Sequence, residues 1–114
     1  MKIINEFLNM PFFLGIIFLL LGLLLYFFPP KKINIIYGYK TSNSMKSQER
    51  WDFAQKFSAV KMIQSGLATL ILSLLLFFFH FKENNFVVYA VLIIIVFYII
   101  FFTEKAIKSK FDSK

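Results

Sequence analysis

Three long apolar segments alternate with polar segments along the chain, and this pattern predicts its architecture. The apolar segments are residues 10–28, 62–81 and 86–103, and they contain no Asp, Glu, Lys or Arg. A helix rises about 1.5 Å per residue, so about 20 residues cross a hydrocarbon core of about 30 Å. Each segment is therefore predicted to be a transmembrane helix, because a bilayer offers no water to pair an unfolded backbone.

The first apolar segment is expected to be a retained helix and not a cleaved signal peptide. Its apolar stretch is longer than the apolar region of a typical signal peptide, which has about 7–15 residues. It also ends in Pro29-Pro30 and has no small-residue cleavage site. Proline cannot donate a backbone hydrogen bond, so the helix is predicted to end there.

Residues 31–61 differ in composition from the apolar segments and are predicted to form a loop followed by a juxtamembrane helix. Gly38 permits a turn, and polar residues 41–44 favour another. Ser44 or Ser47 is a candidate helix cap. No Pro or Gly intervenes between Ser47 and Gly66, so this helix is predicted to run unbroken into the second span. The expected fold is all-α, with residues 1–114 forming a single membrane domain.

The composition narrows the classes of function. The chain is 59% hydrophobic and 17% charged, with a mean hydropathy of +0.71, which is too apolar for an ordinary small soluble domain. There is no Cys and a single His, which excludes disulfides, thiolate nucleophiles and histidine-based metal sites. We therefore expect no enzyme activity, no metal and no cofactor. His80 is predicted to be an interfacial residue and not a proton sensor, because no span carries an acidic partner.

The basic residues predict the orientation in the membrane. The formal net charge is +7. With three crossings, eleven of the 13 basic residues fall on the side of the long loop and the C-terminus, whereas Lys2 and Lys82 fall on the other side. Basic residues stay in the cytoplasm. The expected protein is a multi-pass cell-membrane protein with its N-terminus outside and its C-terminus in the cytoplasm, and it needs no nucleic-acid partner.

Small residues mark the predicted contacts between helices, because close approach stabilises helix pairs in lipid. Gly15 and Gly22 share one face of the first helix, while Ser65, Thr69 and Ser73 recur every four residues in the second. We expect these two faces to touch. Such ridges are also compatible with self-association.

The loop resembles the signature loop of the SdpI family, membrane immunity proteins against a secreted toxin called sporulation delaying protein. The residues that match the family pattern are Gly38, Tyr39, Thr41, Ser44, Met45, Trp51, Ala54 and Gln55. Lys40 stands where the family has Arg, and Ser47 stands where Asn is usual. Lys lacks the flat bidentate fork of Arg, which changes any carboxylate or phosphate contact at that position.

The resemblance implies a polytopic membrane protein without catalysis. Longer relatives protect the cell from its own toxin and hold a transcriptional repressor at the membrane. The resemblance thus implies immunity, with a peptide toxin contacting the outer side, or signalling through a cytoplasmic regulator. The alternative is a small membrane subunit or transporter component with a purely structural loop.

The candidate partner contacts all lie in the loop and the juxtamembrane helix. They are Gly38, Tyr39, Lys40, Thr41, Ser44, Met45, Arg50, Trp51 and Gln55. Topology alone requires neither the glycine nor the aromatic residues, so a folded loop is expected, either as a docking surface or as a cap over the bundle. For the charges at Lys40, Lys46 and Arg50, anionic lipid, an acidic partner and simple topology signalling all remain open.

Overall fold

The structure is a computed structural model that describes residues 11–79 and 85–112. The N-terminal residues up to Met10, the predicted hairpin with His80 and Lys82, and the last two residues lie outside the described part. Within it the chain forms three α-helices and one π-helical turn, without a strand. The predicted all-helical class is confirmed.

Helix α1 covers Phe12–Phe27. The carbonyl of Pro11 accepts a hydrogen bond of 2.9 Å from the backbone N–H of Gly15, which closes the first turn. The helix ends at Phe27, and Phe28 follows as its C-terminal cap directly before the two prolines, whose missing N–H groups stop the helix. Its 16 residues extend about 24 Å, less than the thickness of a typical hydrocarbon core.

Helix α2 covers Gln48–Phe78 without a break, so the juxtamembrane helix and the second apolar segment are one element. Ser47 caps it, since its hydroxyl accepts a hydrogen bond of 3.2 Å from the N–H of Arg50. Glu49 lies in the first turn, where a negative charge complements the helix dipole. Gly66 does not interrupt the helix.

Helix α3 covers Asn85–Ile107 and continues as a π-helical turn over Lys108–Asp112. One stripe of this helix is buried, at every fourth residue from Ile95 through Ile99 and Thr103 to Ile107. The other apolar side chains are mostly exposed.

Two helical segments, Gln48–Phe78 and Phe86–Asp112, are long and apolar enough to cross a membrane. Only 22% and 17% of their most apolar stretches are buried inside the protein. The core helix of a soluble protein would be mostly buried, so this exposure is typical of helices that face lipid.

Helix α2 lies between α1 and α3 and packs against both. On α1, Gly15 approaches Gly66 and Leu70, and Gly22 approaches Ala59 and Ile63. A β-carbon added to Gly66 would lie 2.5 Å from the backbone nitrogen of Leu19. The α1–α2 contact is therefore backbone against backbone, as small residues permit in membrane helices.

The hydroxyl ridge predicted to meet the α1 glycines is buried, but two of its residues face another way. Ser65 and Thr69 line a cavity of about 420 Å³ together with Val91 and Ile95 of α3. Their hydroxyls donate to backbone carbonyls one turn earlier in α2, at 2.8 and 2.7 Å. On this helix the residues nearest the glycines are thus Ala59, Ile63, Gly66 and Leu70, next to the ridge, because residues 65 and 66 point about 100° apart.

Candidate functional site

The polar loop, residues 31–47, folds over one end of the helices, and we call it the loop cap. Its first turn is built by Asn34, whose side-chain oxygen accepts hydrogen bonds from the N–H groups of Ile36 and Tyr37 at 2.9 and 2.8 Å. The Tyr37 hydroxyl donates to the carbonyl of Phe28 at 2.8 Å. These bonds attach the start of the cap to the end of α1.

Gln55 of α2 holds the middle of the cap by pairing with the backbone of Tyr39. Its side-chain oxygen accepts from the Tyr39 N–H at 2.7 Å, and its amide nitrogen donates to the Tyr39 carbonyl at 2.8 Å. Gln55 is fully buried, so these bonds satisfy groups that have no access to water. Gly38 precedes this pairing with a φ of 108°, a conformation that favours glycine.

Trp51 fastens the cap from the other side. Its indole N–H donates a hydrogen bond of 2.7 Å to the carbonyl of Pro30, and the whole side chain is buried. Pro30 is the last residue before the cap begins. The tryptophan thus determines where the chain leaving α1 crosses α2.

Thr41 and Ser44 close a tight turn within the cap. The Ser44 hydroxyl accepts from the Thr41 N–H at 2.9 Å, and the Thr41 hydroxyl accepts from the Ser44 N–H at 3.1 Å. Ser44 is fully buried. This reciprocal pair orients the Thr41 side chain towards α3.

Glu104 lies at the end of α3 that is predicted to face the cytoplasm, and it accepts hydrogen bonds from three side chains of the cap. Its carboxylate accepts hydrogen bonds from the hydroxyls of Tyr39 and Thr41 at 2.7 and 2.8 Å and from the amide of Asn43 at 2.8 Å. We call Glu104 and these three donors the Glu104 cluster. The cluster joins the loop cap to the third helix, directly after the apolar segment 86–103.

The cluster also determines the protonation states of Glu104 and Tyr39. Desolvation by burial works to raise the pKa of Glu104, but the hydrogen bonds from Tyr39, Asn43 and Thr41 outweigh it and hold that pKa below its ordinary value. Burial, and then the hydrogen bond to Glu104, raise the pKa of Tyr39. At neutral pH the carboxylate is therefore charged and the phenol keeps the proton that it donates.

A second connection lies at the solvent-exposed edge. Arg50, near the start of α2, forms a salt bridge with Asp112 in the π-helical turn, and its guanidinium lies 5.3 Å from the ring centre of Phe111. The side chain of Asp112 is 38% exposed, so water screens the pair and it contributes little to stability by itself. Its effect is to draw the end of the chain towards the base of the cap.

Comparison with known proteins places this cap in a family. A sequence profile described as the SdpI/YfhL protein family matches residues 31–103, which run from the first residue of the loop cap to the end of the third apolar segment. The chain belongs to the SdpI/YfhL family. The resemblance inferred from the loop residues is confirmed.

A curated relative in this family is the uncharacterized protein YfhL of Bacillus subtilis (strain 168). It is 44% identical over 61 residues, which cover 54% of this chain and 56% of YfhL. The aligned part thus spans little more than half the length of that relative. No solved structure matches this chain.

In this SdpI/YfhL protein most of the loop residues predicted to contact a partner are hydrogen-bonded within the chain. Ser44, Trp51 and Gln55 have no exposed surface. Lys40 is exposed, and its ammonium donates to the carbonyl of Ile35 at 2.8 Å. Met45 is half-buried, and its N–H donates to the Thr41 carbonyl at 3.0 Å. In this conformation Lys40 is the predicted contact that remains most accessible.

Glu104 was not among the residues predicted from the sequence to form a site, although one signal was available. Glu104 is the only acidic residue between positions 86 and 111, and it follows directly on an apolar segment. An isolated carboxylate at such a boundary needs donors, and the loop offers hydroxyl and amide groups. Among the described residues, no group of three His, Asp or Glu side chains is placed to hold a metal ion.

Proposed function

We propose that this SdpI/YfhL protein is a multi-pass protein of the cell membrane with three spans. Its N-terminus lies outside, and its loop cap and C-terminus lie in the cytoplasm. The unequal division of basic residues supports this orientation. The Glu104 cluster supports the placement of the loop cap and the end of α3 on one common side of the bilayer, because a loop that hydrogen-bonds that end must lie on the same side.

The protein acts by contact with other proteins and not by catalysis. Its role is immunity against a secreted antimicrobial peptide, signalling by sequestering a cytoplasmic regulator, or both. The observation that carries this proposal is the Glu104 cluster, which connects the family's loop to a membrane helix. A peptide that displaces α3 within the bilayer thereby acts on the cap, and the cap is the part that a cytoplasmic regulator can reach.

A survival assay tests immunity. The chain is expressed in a bacterial strain sensitive to sporulation delaying protein, and survival is measured over a range of that toxin. The wild type is expected to raise survival, and Glu104→Gln is expected to lose much of the gain at equal abundance in the membrane. Tyr89→Phe is the matched control, because Tyr89 is an exposed residue of α3 far along the helix from the cluster. No gain for the wild type contradicts immunity against that toxin.

Photo-crosslinking tests the signalling role. A photoreactive residue replaces Lys40, the exposed contact, and in a second variant it replaces Lys56, an exposed residue of α2 outside the cap. A product formed at position 40, dependent on toxin and missing at position 56, is expected. If neither position gives a product, signalling by sequestration is contradicted.

The second candidate is a small membrane subunit whose loop is purely structural. The burial of Ser44, Trp51 and Gln55 favours it, since these side chains serve the cap's own fold. Trp51→Phe and Lys40→Glu separate the two candidates. Trp51→Phe removes a buried hydrogen bond and is expected to lower abundance under either candidate. Lys40→Glu removes only an exposed hydrogen bond to the Ile35 carbonyl, so it is expected to weaken partner contact at normal abundance. A Lys40→Glu protein with normal abundance and unchanged function supports the structural candidate.

A further inference from the structure

The tip of the loop cap exposes isoleucine side chains. Ile35 and Ile36 are 79% and 87% exposed, and Ile33 is 36% exposed. Residues 33–36 form what we call the isoleucine tip. Outside the helices, no other large apolar side chain in the described part of the chain is as exposed as Ile35 and Ile36. In water such exposure is unfavourable, so this surface points to a contact.

The isoleucine tip lies close to the end of α1. Tyr37, the residue that follows the tip, donates its hydroxyl to the carbonyl of Phe28 at 2.8 Å. Phe27 and Phe28 at this end of α1 are themselves 65% and 70% exposed. The exposed isoleucines of the tip therefore lie beside the exposed aromatic residues that end the first predicted span.

Lysines flank the isoleucine tip. The ammonium of Lys40 is held across it by a hydrogen bond of 2.8 Å to the Ile35 carbonyl. Lys31 and Lys32 are exposed and directly precede it. Lysine keeps its charge in water while its carbon stem covers apolar surface. Isoleucine side chains surrounded by ammonium groups are complementary to a leaflet with an apolar interior and anionic headgroups.

We propose that the isoleucine tip inserts into the cytoplasmic leaflet of the bilayer and that Lys31, Lys32 and Lys40 bind the phosphates of anionic lipids. This inference rests on the membrane orientation proposed above. The occupant is lipid and not a protein, because the tip adjoins the end of a membrane helix and the charged residues that flank it in the sequence, Lys31, Lys32 and Lys40, are all basic. Each basic residue close to an anionic leaflet strengthens membrane binding by about fivefold.

Spin labels measure the depth of the tip in the reconstituted full-length chain. The sequence has no Cys, so a single cysteine carries the only label. Ile36→Cys reports on the tip, and Ser42→Cys reports on an exposed part of the cap outside it. Leu74→Cys, exposed on the apolar part of α2, provides the lipid reference. The vesicles are phosphatidylcholine with or without phosphatidylglycerol, and accessibility to oxygen is compared with accessibility to a water-soluble nickel chelate.

The expected result is an oxygen-to-chelate ratio at position 36 several-fold above that at position 42 and below that at position 74, in vesicles with phosphatidylglycerol. Replacing Lys31, Lys32 and Lys40 together by Gln is expected to bring the ratio at position 36 down towards that at position 42. Loss of phosphatidylglycerol is expected to have the same effect.

Three results would overturn the inference. If position 36 is as accessible to the chelate as position 42 while position 74 is shielded, the tip stays in water and the proposed membrane orientation survives. If the lysine replacement leaves the depth unchanged, anionic lipid is not the ligand. If the spectrum of the label at position 36 is broadened by a second label, and the broadening disappears at a high lipid-to-protein ratio, a second copy of the chain covers the tip. A position 74 open to the chelate would instead refute the spanning helix itself.

Discussion

The hydroxyl of Tyr39 donates a hydrogen bond of 2.7 Å to the carboxylate of Glu104, a residue 65 positions further along the chain. This bond links the middle of the loop cap to the end of the third helix. It makes the cap part of the helical bundle, whereas a polar linker without such a bond would move independently of the helices.

Removing the hydroxyl is expected to loosen the cap. Tyr39→Phe keeps the ring but leaves Glu104 with two of its three donors. The expected cost is about 1.5–3 kcal/mol in the free energy of unfolding, since a hydrogen bond to a charged group is lost. Thermal unfolding of the protein in detergent measures the effect, and limited proteolysis within residues 31–47 locates it. Tyr89→Phe, on the exposed face of α3, is expected to change neither. Equal stability of Tyr39→Phe and wild type would show that the bond contributes nothing.

Acid is expected to destabilise the cap through Glu104. Because the folded protein holds the pKa of Glu104 below its ordinary value of 4.5, the stabilisation is fully present above that value and is lost as the pH falls through the folded pKa. The hydrogen bond and charge of Arg50 likewise lower the pKa of Asp112, so this residue adds a loss in the same direction.

The two carboxylates are separated by comparing Glu104→Gln with Asp112→Asn over the acid range. Proteolysis of the cap is the measurement. Glu104→Gln is expected to be less stable than the wild type at neutral pH and to show a shallower loss with acid. Asp112→Asn removes an exposed pair that contributes little, so it is expected to change both properties only slightly. A Glu104→Gln protein whose cap opens with the same pH dependence as the wild type would argue against a charged Glu104 in the cluster.

A side chain at position 38 is expected to disturb the cap. The φ of 108° already disfavours any residue with a β-carbon, and that carbon would lie 2.6 Å from the side-chain oxygen of Gln55 and 2.7 Å from the ring of Pro30. Gly38→Ala is expected to cost at least about 1–2 kcal/mol from backbone strain alone. A double-mutant cycle with Gln55→Ala divides the cost, because strain persists when Gln55 is shortened whereas the clash with Gln55 is relieved.

The contact between α1 and α2 depends on Gly66. Gly66→Ala places a β-carbon against the backbone of Leu19 and Gly15, and the helices must separate, at an expected cost of about 1–3 kcal/mol. Ala68→Val adds more volume on an exposed part of the same helix and is the control. Thermal stability in detergent is the measurement. A larger loss for Ala68→Val than for Gly66→Ala would mean that this packing is wrongly assigned.

Local signals in the sequence predict the helices well. Pro29-Pro30 ends α1, and Ser47 caps α2, because both effects involve neighbours in the chain. The family resemblance also identifies Trp51 and Gln55 as special. The sequence does not predict their hydrogen-bond partners. Trp51 donates to the carbonyl of Pro30, and Gln55 pairs with the backbone of Tyr39. These partners lie 21 and 16 residues away, and no local spacing rule reaches them.

The uninterrupted course of α2 has a mechanical consequence. Its 31 residues form a rod about 46 Å long that begins beneath the cap and continues to Phe78. The helix contains no proline, and a tilt of the whole rod by about 10° displaces one end relative to the other by roughly 8 Å. A change in bilayer thickness that tilted α2 would therefore also move Trp51 and Gln55, and the loop that they hold would follow.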